Sequence, residues 1–160
     1  MDRVDKILAQ WNRERPDLDV SAMGLLGRLS RLSAHIAREI DKSFSERGLN
    51  ASSFDVLATL RRSGPPYRLS PSDLLDTTMV SSGTMTNRID QLEKAGLVER
   101  IANPEDRRSV IIALTEEGLR RVDEAATAHV ANQHRVVSDL SPEERLVLNA
   151  LLRKYLAAFE

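Results

Sequence analysis

Apolar positions recur at helical spacing along most of the chain. Val4, Ile7, Leu8 and Trp11 fall at i, i+3, i+4 and i+7, the stripe of a short amphipathic helix that Pro16 ends. From Ser21 to Glu46 a longer stripe runs through Leu25, Leu29, Leu32, Ile36, Ile40 and Phe44, and Gly48 closes it. Phe54, Leu57, Ala58 and Leu60 predict a third helix that starts near Ser52 and stops at Gly64-Pro65-Pro66. Ser70-Pro71 then starts a short helix, with Ser as N-cap and Pro at the first helical position, running to about Asp76.

Thr77 to Val80 turns the chain, and Ser81 or Ser82 begins a helix that reaches Lys94 before Ala95-Gly96. Leu97–Ile101 and Val110–Leu114 are short apolar runs rich in β-formers, and the polar segment 102–109 between them suits a hairpin tip. Thr115 opens a further helix whose apolar face is Leu119, Val122, Ala126, His129 and Val130. Ser141-Pro142-Glu143-Glu144 is a capping box, and its helix carries Leu148, Leu151, Leu152, Tyr155, Leu156 and Phe159. The fold class is therefore mainly α with a small β-hairpin, divided as 1–50, 51–114 and 115–160 within one continuous domain.

Charge excludes more than it proves. The 160 residues carry 23 basic and 24 acidic groups, a net charge of −1 with neutral His. The three segments carry +1, 0 and −2, so none is a charged tail. With 4% aromatic residues, a base-stacking platform for single strands is excluded. The absence of Cys removes disulfides, thiolate metal sites and thiol redox sensing. No apolar run reaches transmembrane length and residues 1–15 show no secretory core, so the cytoplasm is the expected location.

The order short helix, turn, helix, hairpin with a polar tip, helix over residues 69–118 is that of a winged helix-turn-helix. Small polar side chains crowd the start of its second helix: Ser81, Ser82, Thr84, Thr86 and Asn87. A recognition helix enters the major groove N-terminus first, so short polar groups there reach base edges and phosphates. At the hairpin tip, Arg107 and Arg108 suit phosphates or a narrow minor groove, although such a tip also suits a solvated turn.

Five runs, in order, carry a resemblance: Asp73-Leu74, Ser82 to Glu93, Gly96-Leu97-Val98-Glu99-Arg100, Asp106-Arg107-Arg108 and Leu114-Thr115-Glu116-Glu117-Gly118. Together they resemble the MarR family of transcription regulators. The resemblance implies a homodimer built from the N- and C-terminal helices, a pseudopalindromic DNA operator and release by a small ligand. Asp-x-Arg is the family's wing pattern, which favours Arg108 for the groove. Trp11, Asp55, Arg88 and Arg100 further resemble the effector signature of the family's urate-responsive branch, which has an extra N-terminal helix.

The chemistry is compatible with that resemblance. Urate is a flat anion that suits an aromatic wall and guanidinium forks. Asp55 lies among apolar residues and requires a partner, for which Arg88 is the candidate. An anion competing for Arg88 would then disturb the reading helix. Trp11 as a core cap and Asp55–Arg88 as a purely structural pair are the plainer alternatives. Phenolic acids are the second effector class, and a winged helix that binds protein rather than DNA is the second function. No cofactor or enzymatic constellation is present. His35, His129 and His134 lack metal-ligand spacing.

Overall fold

The computed structural model describes residues 1–78, 82–104 and 109–160, with residues 82–84 as backbone only. Its helices are α1 (Arg3–Glu14), α2 (Ser21–Ser45), α3 (Ala51–Arg62), α4 (Pro71–Thr77), α5 (Ser82–Lys94), α6 (Glu116–Val136) and α7 (Pro142–Leu156). Its strands are β1 (Arg68–Leu69), β2 (Val98–Ala102) and β3 (Val110–Leu114). The chain divides into two compact units, Met1–Glu39 and Ile40–Glu160, and the division falls inside α2.

In the first unit, α1 begins on a reciprocal cap. Asp2 accepts from the N–H groups of Val4 and Asp5, and Asp5 accepts from the Asp2 N–H at 2.7 Å. Gly24 lets α1 approach the first half of α2 closely: a Cβ there would meet Leu8 at 3.1 Å, whereas one on Gly27 would make an ordinary contact with Val4 at 3.5 Å. Arg28 of α2 reaches back to both Asp2 and Asp5.

The second unit holds the main core. Leu57 and Leu60 of α3, Leu74 of α4, Ile112 of β3 and Val122 of α6 are wholly buried there. Each such burial stabilises by about 1.5–3 kcal/mol. Helix α5 contributes Met85, Ile89 and Leu92, spaced i, i+4, i+7. The three strands form an antiparallel sheet in the order β1-β3-β2, with Arg100 opposite Ile112 and Leu69 also opposite Ile112. This is the expected mainly α fold with its hairpin wing. Strand β1 is an addition to the sequence reading: two residues are too few to show a period.

Thr115 sets the rotation of α6. Its hydroxyl donates to the Gly96 carbonyl at 2.7 Å and accepts from the Gly118 N–H, and its N–H donates to the Leu97 carbonyl. Gly118 then lies so close to β2 that an added Cβ would fall 1.9 Å from the Leu97 oxygen. The inward line of α6 is consequently Gly118, Val122 and Ala125, whereas the apolar pattern had placed Ala126 and Val130 there. Val130 is exposed. His129 continues the inward line, stacked on Phe44 at 5.0 Å and tilted against Phe54 at 5.3 Å.

Helix α7 has the predicted capping box between Ser141 and Glu144. It buries no residue, and Leu146, Val147, Leu151, Leu156 and Phe159 are exposed.

Candidate nucleic-acid interface

Ser70 starts the helix-turn-helix by accepting from the Asp73 N–H at 3.1 Å, and Leu74 anchors α4 in the core. The buried line Met85, Ile89 and Leu92 fixes which way α5 faces. Thr86 and Asn87 are consequently exposed. Ser82 and Thr84 lie in the first turn of α5, where their backbone alone is described. Ser81, Arg107 and Arg108 lie outside the described residues. At the root of the wing, Asn103 donates from its backbone to the Ser109 carbonyl at 3.1 Å and from its amide to the Ser109 hydroxyl at 3.0 Å.

Arg100 on β2 is held by two carboxylates of α5, Asp90 and Glu93. The hydrogen bond to Asp90 is the largest cause that raises its pKa above the ordinary arginine value; burial works the other way, and Glu93 adds to the rise. Gly96, at φ +70°, reverses the chain so that β2 returns along the end of α5. The sequence reading missed the grip of Asp90 and Glu93 on Arg100. The available signal was the tight turn at Gly96 between an acidic helix end and a basic strand residue.

Asp55 on α3 and Arg88 on α5 are both partly buried in the second unit. Nη1 of Arg88 is buried and has no hydrogen-bond partner. Asp55 is engaged in an interaction with a neighbour. Trp11 belongs to the first unit, on α1, and is 40% exposed. Among the described residues no cluster of three or more His, Asp or Glu is gathered as for a metal, and no helix is long and apolar enough to cross a membrane.

The family model described as "MarR family" matches residues 49–110, the stretch from the start of α3 to the far strand of the wing. The HTH-type transcriptional regulator PecS of Dickeya dadantii (strain 3937) is 47% identical over 149 residues, 93% of this chain and 90% of that one. The chain belongs to the MarR family. MarR-family proteins of this kind are transcriptional regulators with a DNA-binding winged helix, not enzymes. Among solved MarR-like structures, a mutant MarR from E. coli complexed with operator DNA has a TM-score of 0.72 at 26% identity, covering 91% of this chain and 97% of that one. Bordetella bronchiseptica BpsR, described with regulation of its DNA binding by 6-hydroxynicotinic acid, also has a TM-score of 0.72, at 27% identity, covering 86% and 95%.

Proposed function

We propose that this MarR-family regulator works as a homodimeric repressor on a pseudopalindromic operator and is released by a small planar anion of the urate type. The DNA reading rests on the exposed Thr86 and Asn87 on the outer side of α5, with Ser81, Ser82 and Thr84 at its start. Arg107 and Arg108 take the wing contacts, as the Asp-x-Arg pattern implies. The apolar residues that α7 leaves exposed supply the dimer surface.

One observation carries the effector reading: the buried, unpartnered Nη1 of Arg88 on the recognition helix itself. A buried guanidinium nitrogen without an acceptor is costly, and a planar anion would satisfy it. In this reading Asp55 is the charge that an anion displaces, and Trp11 is the aromatic wall that the resemblance to the urate-responsive branch implies. Arg100 links β2 to α5, so that a shift at Arg88 reaches the wing. A hydroxylated aromatic acid is the second effector class, favoured by the 6-hydroxynicotinic acid of the BpsR relative.

A gel shift with DNA flanking the gene tests the DNA half. Arg108→Ala is expected to weaken binding by about tenfold or more at fixed salt. Salt-independent or absent retention would favour the protein-interaction module instead. For the effector half, urate is expected to raise Tm and release DNA, and Arg88→Ala or Trp11→Phe to blunt both effects. A melting curve unmoved by urate and xanthine but raised by a phenolic acid would transfer the site to the second class.

A further inference from the structure

The first unit contains six arginines. Three are neutralised within it: Arg13 by Glu14, Arg15 by Asp17, and Arg28 by Asp2 and Asp5 together. The other three, Arg3, Arg31 and Arg38, take part in no ion pair of the described residues, and they converge. Arg31, His35 and Arg38 stand at i, i+4 and i+7 on α2, and Arg3 joins them from the first turn of α1. With Ala34 as the small residue among them, they line a hollow of about 280 Å³ that no carboxylate enters.

Like charges gathered without a counter-charge repel one another. This unit has carboxylates to spare for Arg28, which holds two, yet none is placed here. The geometry of His35 adds to the pattern. Arg38 Nη2 lies 2.8 Å from His35 Nδ1. A guanidinium only donates, so Nδ1 accepts and the ring proton sits on Nε2. That bond steadies Arg38 and leaves the hollow lined by side-chain donors.

We propose that Arg3, Arg31, His35 and Arg38 form a binding site for a multivalent phosphate-type oxyanion. Guanidinium forks match pairs of phosphate oxygens, and three such cations suit a guest with two or more negative charges better than a single carboxylate. The site lies wholly within the first unit and shares no residue with Arg88, Asp55 or the DNA-facing side of α5. It gives the regulator a second ligand class, independent of the planar effector.

Isothermal titration of the full chain with inorganic pyrophosphate, at matched ionic strength and with acetate as the monovalent control, tests the site. Saturable binding at one site per chain is expected, with acetate silent. Arg31→Gln combined with Arg38→Gln is expected to weaken binding at least about tenfold, and Arg3→Gln alone by a smaller factor, with unchanged circular dichroism. Arg13→Gln is expected to bind as the natural chain does. Absence of saturable binding overturns the proposal, as does full binding by the double variant. Loss of binding in Arg88→Gln alone would assign the heat to the effector site and overturn it too. A double variant that changes oligomeric state while the natural chain ignores pyrophosphate would show that an acidic surface of a second copy covers the cluster.

Discussion

Helices α4 and α7 begin with the same two residues, Ser-Pro, and the same cap: Ser70 accepts from Asp73, and Ser141 from Glu144. Their fates differ. The seven residues of α4 bury Leu74 completely, while the fifteen of α7 bury nothing. A cap satisfies the free N–H groups of a first turn and so says where a helix starts. What the helix packs against is decided elsewhere. The winged lobe closes its own core within one chain, and α7 presents its leucines outward.

This contrast yields an ordered set of expectations. The largest effect belongs to Leu74→Ala, which opens a cavity in the sealed lobe and is expected to cost about 2–5 kcal/mol in urea unfolding. Next come Ser70→Ala and Ser141→Ala, each expected to cost about 1 kcal/mol. Near-equal losses would show that capping is local and indifferent to burial, whereas a much larger loss at Ser70 would break that separation.

A smaller effect is expected at His129. Burial pushes its pKa below the ordinary 6.5, so the folded lobe prefers the neutral ring. Its contribution is present above about pH 6.5 and is lost as pH falls through the lower native value. His129→Phe keeps the stack on Phe44 without the titrating group, so its Tm should fall less on acidification. An identical acid profile would remove His129 from the account. Leu152→Ala on α7 should change single-chain stability least, within about 0.5 kcal/mol. The same substitution should reduce any dependence of Tm on protein concentration if α7 is a dimer face.

The order of elements was legible in the sequence because helix starts are written locally: Ser70, Thr115 and Ser141 all cap as expected. The inward face of α6 was less legible. Its apolar pattern fits two rotations, and the choice is made by Gly118 against the Leu97 carbonyl, a contact across 21 residues. Strand β1 escaped because it exists through pairing with β3. At the candidate site, the outward placement of Thr86 and Asn87 followed from the helical period. The partners of Arg100 did not, because they depend on how sharply the chain folds back at Gly96. Nor could periodicity place the stack of His129, which draws Phe44 and Phe54 from α2 and α3.

The tie between Arg100, Asp90 and Glu93 bears on how such a regulator changes its target over evolutionary time. The tether uses the later turns of α5, while the side chains proposed to face DNA belong to its beginning. Positions 86 and 87 can therefore be rewritten without loosening the wing. New operator sequences become reachable through substitutions at the head of the helix alone, with the spacing between helix and wing inherited intact. A lineage that lost the acid at 90 or 93 would have to relearn both contacts at once.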